Sequence, residues 1–297
     1  MMNIEKLLFV TKFEELGFDA LKSLLALRKA GLEHVVFVNV IEKERFAMSR
    51  VGYRKDEEIR LRETANIRFI DWAESLFEMG MEAGVYIVVG SLVPEILKAA
   101  EKEATDLIVI GRSHKGVLDQ LYSGSDVTEL LRRSATPVLV YKHMSETTLA
   151  LEKPFERPLL ATDWSPACHK AVDYLKTLEG IIEEIHLIHV ITEKELADSP
   201  SHTSHTIQKA RKQTRKKLEE VCDIFEERGI TARAHIYIGN AEDEIEKAAR
   251  EHQASMIVLG SSAKASWAER WIGSTPREIA EKSMFPCLLI PPEKSAS

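Results

Sequence analysis

The chain has 297 residues, 44% apolar and 29% charged, with a formal net charge of −7. Such a length suits two domains of about 150 residues, and such a composition excludes wholesale disorder. The acidic balance argues against non-specific nucleic-acid binding, which needs a basic face. The three cysteines, Cys168, Cys222 and Cys287, show no CxxC or Cys/His spacing, so neither a disulfide framework nor a metal site is expected.

The first apolar run, Leu7–Val10, is too short for a signal segment or a membrane span. No membrane partner is expected, and a reducing cytoplasm is the simplest compartment. Leu16, Ala20, Leu24 and Leu27 follow at helical spacing and stop at Gly31, a good helix terminator. Val35–Ile41 is a β-branched run suited to a strand buried on both faces. After polar residues 42–56, a long helix is predicted with Ile59, Ile67, Ile70, Ala73, Leu76 and Phe77 inward, ending near Gly80. Strand Val85–Val89, helix Pro94–Ala104, strand Leu107–Ile110, helix Thr128–Ser134 and strand Val138–Tyr141 complete the first half.

The order then repeats. Strand Leu159–Ala161, a helix to Leu178, strand Ile185–Ile191, a polar loop and a helix to Arg228 come first. Strand Ala232–Ile238, a helix to Arg250, strand Met256–Leu259, a helix from Pro276 and strand Cys287–Ile290 follow. Gly80 matches Gly229, Gly111 matches Gly260, Gly124 matches Gly273 and Pro137 matches Pro286, each pair 149 positions apart. A period this long is a whole domain rather than a solenoid repeat. The expected division is a first domain over 1–144, a linker over 145–157 and a second domain over 158–297. Strands alternating with helices imply the α/β class: two tandem open parallel sheets of about five strands, with helices on both faces.

In such sheets ligands bind beyond the carboxyl ends of the strands. Gly111 and Gly260 lie there, preceded by Ile110 and Leu259. Thirteen positions on, Gly124-Ser125 and Gly273-Ser274 precede a helix, whose free N–H groups and dipole suit phosphate. Thr275 and Glu278 have capping-box spacing, with Pro276 expected at the first helical position. Plain βα turns would need the same glycines. Neither loop is a Walker A sequence, and no G-x-G-x-x-G follows either first strand.

Each half resembles a universal stress protein domain, and the chain resembles the tandem members of that family. The resemblance rests on "ATDWS" (Ala161–Ser165), on "VNVI" (Val38–Ile41) matched by "IHVI" (Ile188–Ile191), and on the loop pattern G-x2-G-x9-G-[ST]. It implies an adenine nucleotide, AMP, ADP or ATP, with or without Mg2+. In the second half it implies Ala161, Thr162, Asp163 and Val190 on the adenine side. Leu259, Gly260, Ser262, Ala263, Gly273, Ser274 and Thr275 would line the phosphates and ribose. In the first half the matching positions are Val10, Thr11, Val40, Ile110, Gly111, Ser113, His114, Gly124 and Ser125. The second glycine of the motif is replaced by His114 and Ala263, and the aspartate of the first half by Lys12. Lys12 cannot accept a hydrogen bond from an adenine amine, but it can pair with phosphate or a carboxylate. The implied role is stress response or signalling, with the two halves paired as a pseudo-dimer through their fifth strands and a homodimer as a further step.

Other constellations carry less. The basic stretch Gln208–Glu220 reads as a solvated helix face. His186 and His189, three apart on a strand, face opposite ways and do not share a metal. His202 and His205 lie in a polar loop that could cover the second site. Trp267 and Trp271 suit stacking or packing, and Arg112, Lys115 and Lys264 flank the loops. Asp163, Ser165 and His169 are near in sequence without a triad's support, so no dedicated enzyme is expected and any ATP hydrolysis would be slow and incidental. Two rivals stay open: an interaction scaffold that has lost nucleotide, and an adenylating enzyme, for which a second catalytic motif is missing.

Overall fold

The structure, a computed structural model, describes residues 3–13, 16–43, 55–113, 124–143, 153–193, 204–261 and 272–292. The chain divides into two compact units, Asn3–His143 and Met144–Ser297. Unit one runs β1 (Lys6–Val10), α1 (Phe18–Leu24), β2 (His34–Glu42), α2 (Lys55–Glu78), β3 (Glu82–Gly90), α3 (Leu92–Glu103), β4 (Leu107–Ser113), α4 (Gly124–Arg133) and β5 (Val138–His143). Its strands are parallel, in the order β3-β2-β1-β4-β5. Unit two runs β6 (Pro158–Ala161), α5 (Pro166–Lys176), β7 (Glu184–Ile191), α6 (Ser204–Glu226), β8 (Thr231–Ile238), α7 (Ala241–Glu251), β9 (Met256–Gly260), α8 (Ser274–Lys282) and β10 (Cys287–Ile290). Its parallel order, β8-β7-β6-β9-β10, is that of unit one.

The central strands are buried because the helices that connect parallel strands pack against the sheet. Leu7–Val10 and Val35–Val38 are wholly enclosed, as are Ile185 and Ile188 in unit two. The segment after β1 buries Leu16, Ala20, Leu24 and Leu27 as their spacing predicts. The α-helix stops at Leu24, and a 3-10 stretch over Leu25–Ala30 carries the chain to Gly31, which takes φ 104°. Gly80 and Gly229 terminate α2 and α6 with φ 74° and 75°, which is why both halves keep glycine there.

Helix α2 departs from the expected inward face. Ile59, Ile67, Ile70 and Phe77 are exposed, Phe77 to 79%. The inward face is Ala65, Phe69, Trp72 and Leu76. It is set by an aromatic cluster in which Phe37 of β2 stacks on Phe69 at 5.2 Å and meets Trp72 at 5.4 Å. Two helix faces of similar hydropathy compete, and the one whose rings interlock with the sheet is buried. Helix α6 follows expectation: Thr214, Leu218, Cys222 and Phe225 are buried, while Arg215–Glu219 and Lys216–Glu220 pair along the solvated face.

Residues 153–157 pack into unit two. Phe155 is buried, and the Ser255 hydroxyl donates to the Pro154 carbonyl at 2.7 Å. Asp106, which matches Ser255, accepts the Glu5 and Lys6 N–H groups at the start of β1.

Candidate functional site

Strand order reverses beside the first strand of each unit: β2 and β3 lie to one side of β1, β4 and β5 to the other, and likewise around β6. The crevice at that switch, beyond the carboxyl ends, is where open α/β sheets hold ligands. In unit two the register sets Ala161 beside both Ile188 and Leu259. Thr162, Asp163, Val190 and Gly260 therefore all lie at one end of three adjacent strands. Unit one sets Val10 beside Val38 and Ile110 in the same way, bringing Thr11, Val40 and Gly111 together.

The turn after β6 is built from polar contacts. The Thr162 N–H donates to the Ile188 carbonyl at 2.9 Å, and its hydroxyl accepts from the Trp164 N–H at 3.1 Å. Trp164 takes φ 61°, a left-handed conformation unusual for a bulky residue. Asp163 is exposed, and its Oδ1 accepts from the Ser165 N–H at 3.0 Å and from the Cys168 thiol at 3.1 Å. Burial, and secondarily the Asp163 carboxylate, push the Cys168 thiol pKa up, so it is a poor nucleophile. Ser165 caps α5, accepting from the Cys168 N–H at 3.3 Å, with Pro166 opening the helix.

His189 Nδ1 lies 2.7 Å from the Thr162 carbonyl and therefore carries the proton, since a carbonyl only accepts. Its ring lies 5.3 Å from that of Trp164, and Lys217 Nζ sits 5.2 Å over the Trp164 ring. Unit one repeats the device with other side chains. Asn39 Nδ2 donates to the Thr11 carbonyl at 2.8 Å, Phe13 takes φ 70°, and Arg68 lies 4.9 Å over the Phe13 ring. Sequence reading missed these residues, although Asn39 and His189 stand 150 apart and Arg68 and Lys217 stand 149 apart.

Gly260 has a steric reason to be glycine, but a ligand is not the neighbour that imposes it. A Cβ there would lie 2.6 Å from the Cys168 nitrogen and 2.7 Å from the Ala167 carbonyl carbon. The start of α5 is thus pressed against the end of β9.

Helix α8 begins at Ser274 with Gly273 as its N-cap and no side-chain cap bond. The expected capping box does not form. The Thr275 hydroxyl donates to Glu242 at 2.7 Å, and Glu278 pairs with Lys282 at 2.6 Å. Both side chains find stronger charged or acidic partners than a backbone N–H. Pro276 is the third helical residue, not the first, which leaves Ser274 and Thr275 as the backbone donors of that end. Ser125 and Ser274 are exposed. His114, Ser262, Ala263, Lys115, Lys264, Trp267, Trp271 and His202 lie outside the described residues. Ser113 is the last residue of β4.

A sequence profile described as the Universal stress protein family matches residues 3–142 and again 154–291. The chain belongs to the universal stress protein family. The universal stress protein MJ0577 of Methanocaldococcus jannaschii is 31% identical over 153 residues, 46% of this chain and 94% of that protein. A universal stress protein of Archaeoglobus fulgidus DSM 4304 aligns with a TM-score of 0.72 at 23% identity, over 98% of each chain. A functionally unknown protein of Pseudomonas aeruginosa PAO1 aligns at 0.64 and 19% identity, over 98% of this chain and 93% of that one. These structural likenesses show the fold.

The two universal stress protein domains differ most at the end of their first strands. In the first, Lys12 takes a carboxylate, pairing with Glu42 at the end of β2. Its neighbour Phe13 joins the ring cluster, 4.9 Å from Phe69 and 5.4 Å from Trp72, and Thr11 is fully buried with its hydroxyl donating to the Leu16 carbonyl. In the second universal stress protein domain the same positions are an exposed carboxylate and a partly exposed indole.

Proposed function

We propose that this tandem universal stress protein binds an adenine nucleotide in the strand-end crevice of unit two and acts in stress response or signalling. The observation that carries the reading is the convergence of Ala161–Asp163, Val190 and Gly260 at the point where the strand order reverses. Unit two is the better candidate: Asp163 offers an exposed acceptor, whereas Lys12 offers none and is tied to Glu42. Gly273 and Ser274, at the start of α8, would meet the phosphates, with Mg2+ as an accompanying ion for ADP or ATP. The protein works without a dedicated catalytic activity. Among the described residues Cys168 is buried with a raised pKa, and His169 is exposed with only a backbone bond from its N–H to the Ser165 carbonyl. No helix among the described residues is long and apolar enough to cross a membrane. A cytoplasmic protein that pairs with a second copy completes the reading, and sedimentation at several concentrations tests the pairing.

A nucleotide-free interaction scaffold is the second reading. It is favoured by Asp163 Oδ1 serving the start of α5 and by the Lys12–Glu42 pair. Mass spectrometry of small molecules released on denaturation, then calorimetric titration with AMP, ADP and ATP with and without Mg2+, separates the two. Binding in the micromolar range that Asp163→Ala weakens at least tenfold supports the nucleotide site. No heat at millimolar nucleotide leaves the scaffold as the better account, and unchanged affinity in Asp163→Ala removes the adenine-side assignment.

A further inference from the structure

On the unit-two sheet, three histidines from three elements converge. His186 is on β7, His235 on β8, and His252 directly follows α7. The register sets His235 beside Ile188, so it shares a sheet face with His186, and α7 covers that face. One ring nitrogen from each of the three lies within 4.8 Å of the other two. His186 Nδ1 and His235 Nε2 share a hydrogen bond at 3.1 Å, a separation close to the ligand–ligand edge of about 3.3 Å that a tetrahedral ion with metal–nitrogen bonds near 2.05 Å requires, so an ion there takes the place of the shared proton. The His235 and His252 rings stack at 3.9 Å and the His186 and His252 rings at 4.7 Å, so the rings must turn to bring their in-plane lone pairs onto one ion.

The surroundings are those of an oriented ligand set. The His186 side chain is 5% exposed, and its Nε2 has no hydrogen-bond partner, an expensive state for a buried polar atom. Glu184 Oε1 lies 3.8 Å from that nitrogen. His252 Nε2 lies 3.0 Å from the Tyr237 hydroxyl, which in turn donates to Glu251 at 2.8 Å. Two cations lie nearby: Arg233, which pairs with Glu184, and Arg157. Unit one lacks the set. The positions 149 or 150 residues earlier are Val36, Tyr86 and Glu103, and there the Tyr86 hydroxyl bonds the Glu103 carboxylate instead.

We infer that His186, His235 and His252 form a binding site for a divalent transition metal of borderline softness, with Zn2+ as the probe. Three imidazoles and an open fourth position suit Zn2+ and disfavour Mg2+ or Ca2+, which take oxygen ligands. When His186 Nδ1 coordinates, its proton moves to Nε2, next to Glu184. At 3.8 Å the carboxylate favours a proton on Nε2 by charge, without a hydrogen bond. The Glu251–Tyr237–His252 chain orients the third ligand by hydrogen bonds. The signal was hidden from sequence because the three positions are 49 and 17 apart and come from three elements.

The test uses the full-length, untagged chain, stripped with chelator and dialysed, titrated with Zn2+ against a chromophoric chelator in excess Mg2+. The expected result is one Zn2+ per chain at micromolar affinity or better, with a rise in Tm on loading. His235→Ala and His252→Gln should each weaken binding at least tenfold and abolish the rise, and Tyr237→Phe should weaken it about tenfold. His252 is only partly buried, at a helix end, so its variant keeps the fold even where a change at His186 would not. His169→Ala, exposed on α5, should bind as the parent does. No uptake at tenfold excess Zn2+, or uptake that His235→Ala and His252→Gln both leave intact, overturns the site.

Discussion

Ala104 and Gln253 hold left-handed backbone without being glycine, and the one side-chain bond at stake is an exposed one from Arg157 to Gln253. Ala104 caps α3 with φ 50°, and Gln253, 149 residues later, sits just after α7 with φ 51°. Left-handed backbone costs a residue with a Cβ about 1–2 kcal/mol, part of which glycine loses again through a more flexible unfolded chain. Ala104→Gly and Gln253→Gly should therefore each stabilise by about 0.5–1 kcal/mol, read as a higher urea midpoint at unchanged m value. Gly260 argues the opposite way. Its added Cβ would meet backbone of Ala167 and Cys168 rather than a pliable side-chain tip. Gly260→Ala should cost about 1–3 kcal/mol by forcing α5 off β9, and because Asp163 sits at the start of α5, nucleotide affinity should fall with it. The glycine was legible as a special position in the sequence; which neighbour made it special was not, because αβ contact distances leave no local mark on composition.

At the scale of elements, periodicity placed the strands and helices well, since a β-branched run such as Val35–Ile41 admits few alternatives. It failed on α2, where isoleucines at helical spacing outline one face and Phe69 and Trp72 outline another. The rings of Phe9, Phe13, Phe18 and Phe37 decide between them, and those lie far off in sequence. Phe69→Ala should cost about 3–5 kcal/mol in chemical denaturation, while Phe77→Ala, at 79% exposure, should stay within about 0.5 kcal/mol. Similar costs for both would mean the exposed stripe is covered in solution. The capping box failed for a related reason: Thr275 and Glu278 have the right spacing, yet Glu242 and Lys282 are better partners. The candidate crevice was legible because strand ends and their glycines are local features. The histidine cluster and the Asn39 and His189 contacts were not, because each joins residues that only the sheet brings together.

The whole molecule keeps its three thiols reduced and enclosed. Burial, followed by the carboxylates of Glu226, Asp223 and Glu219, pushes Cys222 up to about 11; Cys168 is raised as well, and the Cys287 thiol donates to the Phe285 carbonyl at 3.1 Å. A raised pKa leaves less thiolate at a given pH, so reactivity near pH 8 should be slow in the native protein and should climb as pH approaches 11. An aromatic disulfide reagent at pH 8 should titrate three thiols promptly only after denaturation; one fast thiol in the folded chain would contradict this picture. The left-handed turn after β6 has an optical consequence. The Trp164 ring lies 5.3 Å from the His189 ring and 5.2 Å from the Lys217 ammonium at the strand ends of unit two, while Trp72 is ringed by phenylalanines. With Trp267 and Trp271 replaced by Phe, emission from Trp164 becomes a native beacon for whatever settles in that crevice, and Trp72 supplies the steady background against which its change in colour or brightness is measured.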